Sequence, residues 1–161
     1  MIARFIAPVA ALIALAWPAQ ATVDIQRVVS PGGIEAWLVE DQSIQFMAIE
    51  LWFAGGGSID DPDARGAANL MTALLEEGAG DMDATAFATA VEGLAASFDF
   101  DIYRDDLVVS AQVLTQNRDA ALALLRAAIV NPRFEDIAVE RVRGQVLSAI
   151  ESDMSDPQTI S

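Results

Sequence analysis

Residues 65–78 read Arg65-Gly-Ala-Ala-Asn-Leu-Met-Thr-Ala-Leu-Leu-Glu-Glu-Gly78, and the rest of the sequence can be interpreted outward from this stretch. Its apolar residues recur at the three- and four-residue spacing of one buried helix face, and they are Ala67, Leu70, Met71, Leu74 and Leu75. Acidic residues that could cap a helix precede it at Asp60, Asp61 and Asp63. Gly78 follows at a position suited to a helix end. The sequence therefore predicts one helix over residues 65–78.

The residues ahead of this helix form an apolar, strand-like run, Phe46 to Phe53, followed by Gly55-Gly-Gly-Ser-Ile-Asp-Asp-Pro62. This order of strand, glycine-rich turn, Asp-Pro loop and Gly-Ala-Ala helix resembles the zinc-binding region of the insulinase/pitrilysin metallopeptidases. In that family the helix carries an inverted zinc motif, H-x-x-E-H. Its two histidines share one helix face and hold the metal, while the glutamate between them activates water.

Aligned on that motif, the two histidine positions fall on Asn69 and Ala73, and the glutamate position falls on Thr72. Alanine has no donor atom, asparagine is a poor zinc ligand, and threonine cannot replace a carboxylate base at neutral pH. The sequence contains no histidine and no cysteine. The resemblance therefore implies the family scaffold without its chemistry, with no catalytic residue, metal ligand or cofactor in this chain.

The resemblance extends to the end of the sequence through an Asn-Pro break at Asn131-Pro-Arg-Phe134 and a long helix that ends near Asp156-Pro157. The third zinc ligand of the family, a glutamate of that helix, falls on Ala149, so this position also lacks a ligand. Family domains continue with further strands, and full chains carry a second, similar domain. The resemblance thus predicts that residues 22–161 are an insulinase-like N-terminal domain, truncated at its C-terminal end.

Residues 1–21 have the features of a secretory signal peptide. Arg4 supplies a short positive region, an apolar core follows, and Ala19-Gln20-Ala21 forms a cleavage site. The apolar run is shorter than the ~20 residues of a spanning helix, and Pro8 and Pro18 interrupt it. We expect export to the periplasm with cleavage and no stable membrane insertion afterwards. An uncleaved anchor is the alternative.

The charge balance excludes some classes of partner. Nine basic residues against 24 acidic ones give a formal net charge of −15, and every basic residue is an arginine. Phosphate backbones and anionic membranes would be repelled, so we expect no nucleic-acid partner. Solubility is the simplest explanation of the acidity, although an acidic wall would also favour basic peptides. An exported chain without cysteine must depend on its packed core for stability.

The remaining patterns predict blocks of strands and helices. Strands are expected at Val23–Val29, Ile34–Glu40 and Gln45–Phe53, and a hairpin is expected over residues 96–114. Three further helices are expected: one capped by Asp83, one at Arg118–Val130 capped by Asn117, and one at Glu135–Asp153. Inward-facing residues are expected at Phe87, Ala90, Val91, Leu94, Phe98, Phe100, Ile102, Ala121, Leu124, Leu125, Ala128, Ile137, Val142, Val146, Leu147 and Ile150. Such blocks, without βαβ alternation, indicate an α+β fold with helices covering a largely antiparallel sheet. The resemblance implies one domain of the insulinase/pitrilysin/mitochondrial processing peptidase fold.

Several carboxylates are candidates for chemistry that needs no histidine. Burial can separate the pKa values of two carboxylates so that they act as acid and base, and the candidates are Glu76, Glu77, Glu92, Asp99 and Asp101. Nothing in their spacing singles out a pair. A carboxylate-only hydrolase is therefore the enzymatic alternative.

Two further motifs favour structural interpretations. The acidic residues at Asp99, Asp101, Asp105 and Asp106 lack the central glycine and terminal glutamate of an EF-hand, so a solvated strand face is expected instead of a calcium site. Gly55-Gly-Gly57 is not followed by the Gly-Lys-Ser/Thr of a phosphate-binding loop, so a tight turn is expected.

Some members of the resembled family pair a catalytic subunit with a relative that lacks the zinc ligands. The vacant positions therefore lead us to expect an exported, non-catalytic subunit that partners an active zinc peptidase and helps to hold extended peptides. Zinc is expected in that partner subunit. A free-standing peptide-binding module is the second hypothesis.

Overall fold

The computed structural model describes residues 23–155, and the side chains of residues 23–148 among them. The predicted signal peptide and Asp156-Pro157 lie outside the described residues. By its internal contacts the chain divides into two compact units, with the boundary in the sequence between Ile44 and Gln45. Among the helices of residues 23–155, none combines the length and apolar character that crossing a bilayer requires.

The first unit contains an antiparallel hairpin of β1 (Ile25–Val29) and β2 (Glu35–Val39). Ile25 lies opposite Val39 in the register. The connecting turn uses Gly33 at φ 83°, a left-handed conformation that glycine adopts without steric cost. Every residue of the two strands is exposed, so both faces of the hairpin present side chains to solvent. The two predicted strands are confirmed.

The second unit has blocks of strands and helices. Its strands are β3 (Phe46–Ala54), β4 (Gly78–Ala79), β5 (Met82–Asp83), β6 (Ser97–Ile102) and β7 (Asp106–Leu114). Its α-helices are α1 (Ala67–Leu74), α2 (Ala84–Gly93), α3 (Arg118–Val130) and α4 (Asp136–Ser155). An antiparallel sheet has the order β3-β7-β6, and β4 pairs with β5. The predicted α+β fold is confirmed.

The main core lies on one face of the three-stranded sheet. Side chains alternate between the faces of a strand, and the residues of the central strand β7 that are buried in this core are Val109, Ala111 and Val113. Val108, which points to the opposite face, is also buried. Phe98 of β6 is buried with them, and its ring centroid lies 6.5 Å from that of Phe87 in α2. Burial of such side chains contributes about 1.5–3 kcal/mol each. The core also contains the predicted inward face of α3, which is Ala121, Leu124, Leu125 and Ala128.

A second, smaller core joins α1 to α4. Its buried members are Leu74, Ala138 and Val142, and Leu70 of α1 packs against them. The predicted inward face of α4 is only partly correct. The residues of α4 that pack in this core are Ala138, Val139, Val142 and Val146, whereas Ile137 is 83% exposed and Leu147 is 54% exposed. Because α4 packs on this narrow stripe, apolar residues beside it stay in solvent.

α1 begins where a carboxylate satisfies its free backbone amides. The Asp60 carboxylate accepts hydrogen bonds from the amides of Gly66 (2.7 Å) and Ala68 (3.0 Å). Asp60 is thus the residue that caps the helix among the three predicted candidates. The predicted inward position of Ala67 is wrong, since this residue is exposed and the packing against α4 begins at Leu70.

The predicted end of this helix at Gly78 is also wrong. α1 ends at Leu74, and Gly78 belongs to β4, where its φ is 121°. A Cβ atom at Gly78 would lie 2.6 Å from the carbonyl oxygen of Met82. Glycine is therefore required by the close approach of β4 and β5, and the helix must stop earlier to let the chain enter this pair.

Asn117 is the N-cap residue of α3, as predicted, but its side chain makes no capping hydrogen bond. Its amide instead donates a 2.8 Å hydrogen bond to the carbonyl oxygen of Leu94 at the end of α2. Helix ends leave carbonyl groups without intrahelical donors, and a side chain from elsewhere in the sequence satisfies this one. The predicted cap of α2 is confirmed, because the Asp83 carboxylate accepts from the Ala86 amide at 2.8 Å.

Gly56 should be the most sensitive position of the glycine-rich turn. A Cβ atom there would lie 2.1 Å from the carbonyl oxygen of Tyr103 and 2.8 Å from the amide nitrogen of Asp106. Gly56→Ala should lower the free energy of unfolding by roughly 3 kcal/mol, since backbone would have to move. Urea denaturation measures this loss. Gly57→Ala is the control, because its Cβ would be 3.8 Å from the nearest atom, and an equal loss there would contradict the steric explanation.

Candidate functional site

The positions aligned with the family's zinc motif lie on α1. Asn69 and Ala73 are separated by about one helical turn, so they share a face, and both are exposed. Thr72 is buried, with 4% of its surface exposed, and its hydroxyl donates a 2.8 Å hydrogen bond to the carbonyl oxygen of Asn69. The exposed face of α1 therefore offers one carboxamide at the two predicted histidine positions, and the threonine hydroxyl is engaged within the helix.

The fourth predicted position, Ala149, belongs to α4, the helix that packs against α1. Besides their shared apolar contact, the two elements are joined by an ion pair between Arg141 of α4 and Glu77, which follows α1. The helices that carry all four predicted positions are thus in direct contact with each other. The scaffold on which the family builds its site is present.

α1 also contacts β6, which is an edge strand of the sheet. Within residues 23–155, no strand pairs with the outer edge of β6. An unpaired edge presents alternate backbone amides and carbonyls to any extended chain that can approach it. The face that carries Asn69 and Ala73 therefore belongs to a helix that contacts the edge strand of the sheet.

A groove of about 750 Å³ lies at the C-terminal end of α1 and along α2. Its lining residues include Phe87 and Val91 of α2, and three carboxylates singled out from the sequence, Glu76, Glu77 and Glu92. The other two of those carboxylates, Asp99 and Asp101, lie on β6 and do not line it. The structure thus brings three of the five candidate carboxylates together in one mainly apolar groove.

Glu76 is the residue of this groove whose surroundings shift its pKa. Partial burial raises the pKa of the Glu76 carboxyl above its ordinary value, and the charges of Asp99 and Glu77 raise that pKa further. Glu77 itself is engaged by the guanidinium of Arg141. The hydrolase hypothesis therefore depends on Glu76 and Glu92 as the carboxylates of the groove that have no ion pair within the described residues.

The glycine-rich turn is bound to the loop between β6 and β7. The amides of Gly55 and Gly57 donate to the carbonyl oxygens of Asp105 (2.7 Å) and Tyr103 (2.8 Å), respectively. The Ser58 amide donates to the carbonyl oxygen of Arg104. Amides already bonded to carbonyl oxygens are not available to a phosphate group. The interpretation of this segment as a structural turn is confirmed.

The hairpin carboxylates are arranged as the strand pattern predicts. Asp99 and Asp101 are exposed on one face of β6, while Phe98 and Phe100 face the core. Within the described part of the chain, no three His, Cys, Asp or Glu side chains are grouped so that they could hold a metal ion.

One exposed residue was not identified from the sequence. Trp52 of β3 lies on the sheet face opposite the core and is 64% exposed. The alternating run Phe46 to Phe53 contains the signal, but which of its two faces is buried depends on pairing with β7, more than fifty residues later. The sequence pattern therefore could not separate a core tryptophan from an exposed one.

The comparisons with known proteins bear on this scaffold directly. A family model described as insulinase (peptidase family M16) matches residues 36–160. This chain belongs to the insulinase family. The family resemblance predicted from the sequence is confirmed.

Relatives of this insulinase-family chain include proteins described as inactive. The chain is 34% identical over 108 residues to the non-peptidase homologue YmxG of Helicobacter pylori, covering 67% of this chain and 25% of that protein. It is similar to the crystal structure of a peptidase M16 inactive domain from Pseudomonas fluorescens, with a TM-score of 0.78, 30% identity and coverage of 86% of this chain and 34% of that one. The chain therefore spans about a quarter to a third of these relatives.

Together with the absence of histidine and cysteine, these similarities show an insulinase-family member that lacks the catalytic residues. The family fold is present, because α1, α4 and the antiparallel sheet are all formed. The chain therefore has the fold of the family without the family's catalytic residues.

Replacing Glu76 should change how stability depends on pH. Because the folded protein raises the pKa of Glu76, it binds more protons than the unfolded chain between the ordinary value of 4.5 and the raised value. Stability contributed by this group is then present at low pH and is lost as pH rises through the folded pKa. Glu76→Gln should be more stable than the natural protein at pH 7, with the difference shrinking below pH 4.5. Urea denaturation across this pH range measures the difference.

The same measurement in an Asp99→Asn background supplies the control. Since the charge of Asp99 contributes to the raised pKa of Glu76, the stabilisation by Glu76→Gln should become smaller there. A stabilisation that is independent of both pH and Asp99 would contradict the electrostatic explanation.

Restoring two histidines should restore metal binding to α1. In the Asn69→His/Ala73→His variant both side chains would lie on one exposed helix face, four residues apart, as zinc requires. Zn²⁺ at 100 times its Kd should then raise the free energy of unfolding by about 2.7 kcal/mol. The Ala67→His/Ala73→His variant is the matched control, since its residues are exposed but six positions apart. Equal stabilisation of both variants would show that the Asn69–Ala73 face is not accessible as described.

Proposed function

We propose that this protein is the exported, non-catalytic component of a two-component zinc peptidase, in which an active family member holds the metal. The observation that carries the proposal is an intact family scaffold whose four ligand and base positions are Asn69, Thr72, Ala73 and Ala149. A fold that is present without its catalytic groups fits a role in binding or assembly better than a role in chemistry.

The integrity of α1 supports this interpretation. The helix retains its carboxylate cap from Asp60, its apolar contact with α4 through Leu74, and the adjacent ion pair of Glu77 with Arg141. Each of these features holds the helix in place and none of them needs zinc. The vacant positions are therefore not accompanied by loss of the surrounding structure.

Peptide binding is the activity that the open edge of β6 would supply. An extended peptide could add to this edge as a further antiparallel or parallel strand, because main-chain groups provide affinity without a fixed sequence. The edge lies beside α1, so a peptide held there would pass close to the face where an active relative carries its metal. In this proposal the chain holds substrate, and the zinc of the partner subunit performs the hydrolysis.

Pairing with another subunit is supported by the hairpin of the first unit. Apolar side chains are exposed on it, among them Trp37, which is 78% exposed, and Val39. Contiguous exposed apolar surface on a soluble protein commonly marks an interaction site. We propose that this hairpin contributes to the interface with the active subunit in the periplasm.

Co-purification of the intact natural protein from the exported fraction tests the proposal. An H-x-x-E-H relative should come down with it, and the complex should cleave peptides in a manner that a zinc chelator abolishes. The separated protein should show no peptidase activity. Recovery of the protein alone and inert would overturn the two-component proposal and favour a free-standing peptide-binding module. Zinc-dependent cleavage by the separated protein would overturn both the two-component proposal and the proposal of a peptide-binding module.

A further inference from the structure

The outer edge of β6 carries backbone groups that the described part of the chain does not use. Within residues 23–155, β6 pairs with β7 alone. No turn or loop of the same residues forms a backbone hydrogen bond with Ser97–Ile102. A strand at the edge of a sheet can pair with another strand, including the same strand of a second copy. Protection of β6 against such self-pairing has to come from the side chains of the strand itself.

Two aspartates alternate with two phenylalanines along β6. Phe98 and Phe100 face the core, whereas Asp99 and Asp101 are exposed on the other face. The Asp99 carboxylate accepts a hydrogen bond from the Ser97 hydroxyl at 3.3 Å. Within the described residues neither aspartate forms an ion pair. The strand therefore places two negative charges, two residues apart, along an edge that pairs with no other strand.

Pairing of β6 with the β6 of a second copy would bring these charges together. Two-fold dimers are the commonest homo-oligomers, and a two-fold antiparallel pairing joins the sheets with both cores on the same side. When Phe100 lies opposite Phe100 of the second copy, Asp99 of each copy lies opposite Asp101 of the other. Moving the register by two residues places Asp99 opposite Asp99 or Asp101 opposite Asp101. Like charges directly opposite each other destabilise a strand pair in each case.

We infer that Asp99 and Asp101 prevent the edge of β6 from pairing with the same edge of a second copy. Their spacing of two residues places like charges opposite each other in every one of these registers. The net charge of −15 also repels a second copy, but it acts on the whole surface and does not distinguish one edge from another. The inference goes beyond the proposed function, because it holds whether or not the chain binds a peptide or an active peptidase.

Reversal of one charge in the intact protein tests this inference. In Asp99→Lys each copy places a lysine opposite Asp101 of the other, so two like-charge pairs become two complementary pairs. Light scattering over a concentration series at low salt should show dimers of this variant at concentrations about tenfold lower than for the natural protein. Asp101→Lys should behave in the same way, because it creates the same two pairs with the signs exchanged. Added salt should weaken the dimers of both variants.

The double variant Asp99→Lys/Asp101→Lys separates the pairing of the charges from the overall charge. It has less net negative charge than either single variant, yet it again places like charges opposite each other. It should therefore dimerise no more readily than the natural protein. Association of the double variant as strong as that of the single variants would overturn the inference, as would equal association of the natural protein and the single variants. Circular dichroism of each variant checks that the fold is retained.

Hydrogen exchange locates the interface of the dimers. Amides of Ser97–Ile102 should exchange more slowly in the Asp99→Lys dimer than in the natural protein, since the outer edge of β6 gains hydrogen-bond partners. Dimers in which the exchange of β6 is unchanged would place the interface elsewhere and overturn the inference. None of these outcomes depends on recovering an active peptidase with the protein, so the inference and the proposed function fail separately.

Discussion

The pairing of β3 with β7 is the interaction on which the rest of the second unit depends. It runs without interruption from Phe46 opposite Leu114 to Ala54 opposite Asp106. More than fifty residues separate the partners in sequence, so their pairing closes a long loop at an entropic cost that only a well-packed core can offset. The buried β7 residues beneath this pairing supply that core.

The same pairing determines where α1 can lie. As β3 ends, its glycine-rich turn is bound to the carbonyl groups of the β6–β7 loop, which leads the chain toward the capping residue Asp60. At the other end, the close approach of β4 and β5 at Gly78 limits the length of the helix. Between these constraints α1 packs on α4 and contacts β6. The scaffold of the family site is therefore fixed by backbone contacts that do not involve a metal.

This independence explains how the fold persists without catalytic groups. Polar groups near the vacant site are satisfied within the protein, since Thr72 bonds to the backbone of Asn69 and Glu77 bonds to Arg141. No buried side-chain nitrogen or oxygen among the described residues is left without a hydrogen-bond partner. Among the described residues, the outer edge of β6 pairs with no strand, and the hairpin of the first unit is exposed.

The sequence by itself determined the order of the longer strands and helices and the absence of the residues of the family's zinc motif. The periodicity of α3 identified its buried residues correctly, because a helix face is a local property that follows from spacing. The identities at Asn69, Thr72 and Ala73, with no histidine available elsewhere, already excluded the family's zinc site. Tertiary structure decided what spacing could not. It buried Ala138 instead of Ile137, assigned Asn117 to the end of α2, and left Trp52 in solvent, because each outcome depends on a neighbour that is distant in sequence.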